Sequence, residues 1–325
     1  MKIDLEDIVK TLKEKNNFYI LTHKSPDGDT LGSAFALCLA LQKINKNVKV
    51  LCSDEIPERY DILYKNAKKQ NFDPAFIISV DIADTQLLGD RLLCYSNTID
   101  LCIDHHPSNK KYSKCWYIEE HSAANVEIIY KIIKMMGIDF DPYIATCIYT
   151  GISTDTGCFR NANTTSRSYK IAAEMIDNGA DAFKINKIMF DTKSKAQLYL
   201  ERICIDNMEF FCKDKCAVIS LTDKQIKQSG ASESDCEGLS SIPRKVDGVL
   251  VGIFIKETDP NVFKISVRTD ELIDASKICS KFDGGGHKCA AGCTIPGSLP
   301  DVKEKIISAV CKTIGEENEW NNNNK

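Results

Sequence analysis

Short apolar runs recur along the first part of the chain: "FYILT" at 18–22, "VKVLC" at 48–52, "AFIISVD" at 75–81 and "TIDLCIDHH" at 98–106. Each is compact and rich in β-branched or aromatic residues, the pattern of a buried strand. Longer stretches with helical spacing lie among them, such as "DTLGSAFALCLALQKIN" and "AANVEIIYKIIKMMG". Strands alternating with helices predict an α/β fold with a mainly parallel sheet. "DPYIATCIYTGISTDTG" predicts a further helix opened by Pro142, and "TTSRSYKIAAEMIDNG" one stopped at Gly179. The texture then changes. From Asp181 to Asn207 the pattern is helical and charged; beyond it "CAVISL", "VDGVLVGIFIKE" and "VFKISVRTD" predict strands, the last two paired. We expect a first domain over 1–185, a helical linker over 186–208, a smaller α+β domain over 209–315 and a disordered polar tail over 316–325, "EENEWNNNNK".

The chemistry gathers where the strand-like runs end. The chain has only five histidines. His23 follows "YILT", Asp81 follows "FIISV", and Asp104, His105 and His106 follow "IDLCI". In open α/β sheets ligand sites collect outside the carboxyl ends of the strands, so parallel strands would bring these residues to one edge. Asp27 and Asp29 sit in the turn after His23, and Asp155 follows a helix. Histidines mixed with aspartates suit Mn²⁺, Fe²⁺, Co²⁺ or Zn²⁺ better than Ca²⁺. So many carboxylates in one cluster call for more charge than one ion supplies, and a pair of divalent ions is the natural compensation. Other readings exist for each piece: Asp29 as the cap of the next helix, Asp81 and Asp84 as caps of a short helix, Gly284 to Gly286 as a flexible turn.

Bulk properties exclude some partners. A net charge of −4 argues against a basic coat for long nucleic acid, though a local pocket for a small anion remains open. No apolar run is long enough to span a membrane, and the charged start "MKIDLEDIVKTLKEKNNF" has no apolar signal core, so a cytoplasmic protein without membrane contact is expected. The 15 cysteines have irregular spacing without a CxxC pair and read as mostly reduced, buried small residues, with none needed as a nucleophile.

Four segments, "HKSPDGDTLGS", "VDIAD", "IDHHPSN" and "GISTDTGCFR", resemble in order the motifs of the DHH phosphoesterases, and "SVRT" with "GGGHKCAAG" resembles their associated C-terminal domain. The compact length is similar to the branch that degrades very short oligoribonucleotides (nanoRNA) and dephosphorylates 3′-phosphoadenosine 5′-phosphate (pAp). The resemblance implies a two-Mn²⁺ enzyme, with His23, Asp27 and Asp81 on one ion and Asp29, Asp81, His105 and Asp155 on the other. It implies that Asp104 orients an imidazole, that His106 meets the scissile phosphate or leaving oxygen, and that a hydroxide shared by the ions attacks in line. Arg268, Arg160, the Gly284, Gly285 and Gly286 backbone and His287 would bind substrate. Cys289 stands where relatives often carry a larger or basic residue, and His121 matches no metal motif. The substrates implied are short RNA or DNA oligonucleotides or a nucleoside bisphosphate, and the family habit is a homodimer. A cyclic-dinucleotide phosphodiesterase and a non-catalytic nucleotide sensor are the alternatives; a pyrophosphatase would carry a different C-terminal domain.

Overall fold

The computed structural model describes residues 1–236 and 238–315; the tail expected to be disordered lies outside the described residues, as does the side chain of His287. The chain divides into two compact units, Met1–Thr192 and Lys193 onward. In the first, the elements are α1 (Leu5–Glu14), β1 (Phe18–Leu21), α2 (Gly28–Lys43), β2 (Val48–Leu51), α3 (Asp61–Tyr64), β3 (Phe76–Val80), β4 (Leu101–Asp104), β5 (Cys115–Ile118), α4 (Val126–Met135), α5 (Pro142–Asp155), α6 (Ser166–Asp177) and α7 (Ala182–Asn186). All five strands are parallel, in the order β2-β1-β3-β4-β5. The α/β reading with a parallel sheet therefore holds.

The central strands are buried on both faces, and the pleat sorts their side chains. Phe18, Ile20, Ile78, Val80, Leu101 and Ile103 join a large core with α1, α2, α4 and α5. Tyr19, Leu21 and Ile77 face a smaller cluster with Ile82, Leu88, Leu92 and Ile99. The connection from β3 to β4 is made of 3₁₀ turns, Thr85–Leu88 and Leu93–Tyr95, rather than an α-helix. The edge strand β5, "CWYI", is only half-buried, and its short polar-flanked run gave no strand signal in the sequence. Helix α2 is buried on every side from Gly28 to Gln42, because it lies between the sheet and α5. Glycine makes this approach possible: a Cβ at Gly32 would lie 2.6 Å from the Cys147 carbonyl oxygen of α5.

The second unit contains α8 (Lys195–Asp206), β6 (Glu209–Phe211), β7 (Cys216–Leu221), α9 (Asp223–Ser229), β8 (Val251–Asp259), β9 (Val262–Thr269), α10 (Ala275–Cys279), β10 (Gly285–His287), β11 (Ala290–Pro296) and α11 (Leu299–Ile314). Its six-stranded sheet runs β10-β11-β9-β8-β7-β6, with β7 and β8 parallel and the other pairs antiparallel. This is a mixed α+β sheet. Val302, Ile306 and Val310 of α11 pack on one face, and Leu200 and Cys204 of α8 pack with Ile219, Leu221 and Phe254 on the other. The paired-strand expectation for "VLVGIFIKE" and "VFKISVRTD" is met by β8 and β9. Most cysteines are free, thirteen in all, but Cys212 and Cys311 form a disulfide across 99 residues of sequence, a pairing the irregular spacing concealed. Among the described residues no helix is long and apolar enough to cross a membrane.

Candidate metal centre

The strand order reverses between β1 and β3, so the connections leaving their carboxyl ends diverge and leave a crevice there. The sequence places its acids and histidines at this point. β1 ends two residues before His23, β3 ends at the residue before Asp81, and β4 ends in Asp104 with His105 and His106 following. Asp27 caps α2 and accepts from the N–H groups of Asp29 and Thr30, at 3.1 and 3.0 Å. Asp27, not Asp29, is thus the helix cap, and Asp29 is left for another task. Asp84 caps the 3₁₀ turn at Thr85–Leu88, whereas Asp81 caps nothing. Asp155 is the last residue of α5.

His23, Asp27 and Asp81 form one group of potential ligand atoms, and Asp29, His105 and Asp155 another; within each the atoms lie within 4.8 Å of one another. Asp81 lies between the two groups. Its Oδ2 is 3.8 Å from His23 Nε2, and its Oδ1 is 3.5 Å from His105 Nε2. These separations exceed hydrogen-bond length. Asp81 Oδ1 is buried without a hydrogen-bond partner, an orphaned carboxylate oxygen of the kind a cation would satisfy. Asp81 also has φ +59°, a left-handed conformation costing roughly 1–3 kcal/mol in a non-glycine residue, which turns its carboxylate off the strand end.

The imidazoles are oriented for metal binding. His23 Nδ1 donates to the Lys24 carbonyl at 2.8 Å and His105 Nδ1 to the Ser122 carbonyl at 3.1 Å. A carbonyl only accepts, so Nδ1 carries the hydrogen in both, and Nε2 is the ligating nitrogen. His106 differs. Its Nδ1 donates to Asp104 Oδ1 at 2.8 Å, which withdraws that nitrogen from a third group of potential ligands, Asp81, His105 and His106. Asp104 is fully buried and saturated: Oδ1 also accepts from the His105 N–H at 2.8 Å, and Oδ2 from Asn109 Nδ2 at 2.6 Å.

The electrostatics are those of a site lacking positive charge. Burial and the Asp155 charge push the Asp29 carboxyl up to about 7. Burial and Asp27 do the same to Asp155, also about 7. Burial, with Asp29 and Asp27 close by, holds Asp81 well above the carboxylate range. The surrounding fold partly desolvates Asp27, whose side chain is more than half exposed, but His23 and the capping N–H groups outweigh that and pull it to about 2. Three carboxyls with raised pKa around two oriented imidazoles form a donor set of oxygen and nitrogen that fits divalent cations.

Of the other expected site residues, Arg160 lies in the loop after α5, where its Nε donates to the Gly157 carbonyl and its guanidinium lies over the Phe190 ring, 5.9 Å from the centroid. Arg268 is on β9 of the second unit, half-buried, opposite Ala290 of β11. The glycine run is not a flexible turn. Gly285 and Gly286 lie in β10, and a Cβ at Gly284 or Gly286 would fall 2.3 or 2.6 Å from carbonyl oxygens of β11. Only Gly285 of the three faces open space. Cys289 is half-buried with its Sγ 3.7 Å from the Asp270 carbonyl, and His121 is exposed. Sequence reasoning missed Asn109, the Ser122 carbonyl and the N–H groups of Asn125 and Val126, which hold Asp29 at 2.6 and 2.9 Å. Asn109 was visible within "IDHHPSN"; the main-chain groups carry no signal in residue type.

Comparison with known proteins agrees with this arrangement. Residues 17–152 match the DHH family, N-terminal domain, and residues 214–316 the DHHA1 domain. The chain is 28% identical to the "Bifunctional oligoribonuclease and PAP phosphatase NrnA" of Thermus thermophilus, over 90% of this chain and 88% of that one. A protein of the same description from Bacillus subtilis is 23% identical, over 89% of this chain and 92% of that one. In structure it is similar to an exopolyphosphatase-related protein from Bacteroides fragilis, with a TM-score of 0.86, 24% identity and 95% of each chain covered. With both domain matches in order and the motif residues gathered at the strand ends, the chain belongs to the DHH family of phosphoesterases and carries a C-terminal DHHA1 domain.

Proposed function

We propose that the protein is a metal-dependent phosphoesterase that hydrolyses very short 5′-phosphorylated oligonucleotides to mononucleotides and dephosphorylates pAp to AMP. The observation that carries this reading is the pair of ligand groups meeting at Asp81, each with an imidazole whose Nδ1 is tied to a carbonyl. The activities are those in the description of the Thermus relative, with which the chain aligns over most of both lengths.

His23, Asp27 and Asp81 would hold one divalent ion, and Asp29, Asp81, His105 and Asp155 a second. Mn²⁺ is the first choice for a carboxylate-rich set with two imidazoles. When bound, such ions supply Lewis-acid polarisation of phosphoryl oxygens and water activated near neutral pH. The chain's own groups do the rest. Asp104 keeps the His106 proton on Nδ1 and, against the effect of burial, raises the imidazole's pKa, which favours its cationic form. A cation there is assigned to the scissile phosphate or the leaving oxygen. Burial of Asp29, Asp81 and Asp104 keeps bulk water from competing for the cluster. Arg268, with the open Gly285 backbone, is assigned to substrate phosphate and base, and Arg160 and His287 are secondary candidates. Residues 1–185 are assigned to catalysis and 209–315 to substrate binding.

The test is hydrolysis of a 5′-phosphorylated RNA dinucleotide and of pAp with Mn²⁺, by wild type and Asp81→Ala. Turnover by wild type alone, lost with EDTA and restored by Mn²⁺, is expected. Absence of turnover of both substrates with Mn²⁺ bound would overturn the assignment.

A further inference from the structure

The two ligand groups are built differently. The His23–Asp27–Asp81 group is largely local: His23 Nδ1 bonds the adjacent Lys24 carbonyl, and Asp27 bonds its own helix. The other group hangs on one segment, Ser122 to Val126, which runs from the loop after β5 to the first residue of α4. The Ser122 carbonyl fixes His105. The N–H groups of Asn125 and Val126 each hold one oxygen of Asp29. Asn163 Nδ2 bridges the Ala123 carbonyl, at 2.9 Å, and the main-chain carbonyl of Asp155, at 3.2 Å. All three members of the Asp29–His105–Asp155 group are therefore referenced to the same five residues.

That segment is held at its start by Arg167, near the N-terminus of α6. Nε donates to the fully buried Glu127 at 2.7 Å, and Nη1 to Glu119 at 2.8 Å. Nη2 donates to the His121 carbonyl at 3.2 Å and to Ser122 Oγ at 3.1 Å. One planar guanidinium thus clasps Glu119 and Glu127, which flank the segment on either side, together with its first residue, Ser122. A lysine has the charge but not the fork, and cannot meet four acceptors in fixed directions. Neither the metal motifs nor the domain comparisons single out Arg167.

We infer that Arg167 is a positioning residue that sets the metal affinity of the Asp29–His105–Asp155 site selectively, leaving the His23–Asp27–Asp81 site nearly untouched. The inference rests on the two-ion reading above. Groups that orient a ligand through one further hydrogen bond change metal affinity by about 10–100-fold when removed. Here one side chain bonds the hydroxyl of the residue whose carbonyl sets the His105 tautomer, and the carboxylate of Glu127, next in sequence to Val126, whose N–H meets Asp29.

The experiment is calorimetric Mn²⁺ titration with thermal melting of the metal-free protein. In a His23→Ala background, which leaves the Asp29–His105–Asp155 site, Arg167→Lys should weaken Mn²⁺ at least about tenfold. In an Asp155→Ala background, the same change should shift Mn²⁺ affinity by less than about threefold, well under the range for a lost orienting bond. Asn163→Ala, which cuts a separate tie to the segment, should reproduce the split. Ile129→Val, in the buried core of the same α4, lowers the melting temperature without touching the segment and should leave both affinities unchanged. Equal weakening of both sites, or weakening by Ile129→Val as much as by Arg167→Lys, would overturn the inference and leave a purely structural role. Failure of wild type to bind two Mn²⁺ would instead bring down the two-ion reading, and this inference with it.

Discussion

Gly28 stands between Asp27 and Asp29, and Gly28→Ala puts one methyl group where the geometry is tightest. A Cβ there would lie 2.3 Å from Thr154 Oγ1, 2.5 Å from its Cγ2 and 2.8 Å from its Cβ. Ordinary contacts need about 3.5–4 Å, so something must move by roughly 1 Å. Rotating Thr154 does not relieve the clash, because its Cβ is already too close. Its hydroxyl is also committed to the Thr150 carbonyl at 2.9 Å. The displacement therefore falls on the Asp27–Asp29 turn or on Asp155, the next residue along α5. Overpacking of this kind costs about 1–3 kcal/mol. Alanine is the better helix former by up to about 1 kcal/mol, so any net loss understates the clash. A displacement of about 1 Å in reacting groups lowers turnover by roughly 100-fold. Expected for Gly28→Ala are a lower melting temperature, weaker Mn²⁺ binding and kcat/KM on the short oligonucleotide down by about two orders of magnitude. Adding Thr154→Gly, which removes the opposing Cβ, should recover a good part of the activity. A Gly28→Ala protein with kcat/KM within a factor of about three of wild type, far short of the loss expected for such a displacement, would refute the reasoning.

Other outcomes follow from the same site. Asp81→Asn should raise the melting temperature of the metal-free protein, since it removes a buried carboxyl that the fold must either keep protonated or ionise beside Asp29 and Asp27, while asparagine tolerates the left-handed backbone, yet it should abolish Mn²⁺-induced stabilisation; a lower metal-free melting temperature would contradict this. The pH dependence has a definite sign. Asp29 and Asp155 titrate near 7 in the fold and near 4 when unfolded, so between those values the native state holds more protons and metal-free stability falls as pH rises, by up to about 1.4 kcal/mol per pH unit for each excess proton. The raised His23 and His106 add to the fall above their unfolded values near 6.5, whereas Asp27, pulled to about 2, acts only below about pH 4. Denaturant melts from pH 5 to 8 with EDTA should show the decline, and Mn²⁺ should reverse it. Asn109→Leu frees Asp104 Oδ2 from its amide partner and should lower kcat by roughly tenfold while Mn²⁺ content stays at the wild-type level; loss of metal with unchanged kcat per bound ion would place Asn109 elsewhere in the mechanism.

Much of this protein was legible because it depends on neighbours in sequence. The alternating apolar runs identified β1 to β4, the helical spacing identified α2, α4, α5 and α6, and Pro142 and Gly179 marked helix ends. Both features depend on residues within a turn or a strand of one another, where pattern and propensity act directly. The acids and histidines were legible for the same reason, since each sits at the end of a strand or helix that could be read. What stayed hidden is long-range. β5 is a half-buried edge with little apolar pattern, the Cys212–Cys311 pair joins distant segments, and the glycine run proved to be a strand pressed against β11.

At the site the division is sharper. Residue types and their placement at strand ends determined that a cation-binding cluster would form and which side chains were available for it. Only the tertiary structure decided which nitrogen of each histidine carries its proton, that Asp27 rather than Asp29 caps α2, and that Asp81 Oδ1 is left without a partner. Those choices are made by main-chain carbonyls and N–H groups brought in by folding. Every residue but proline carries the same two groups, so no pattern of side chains announces them in advance.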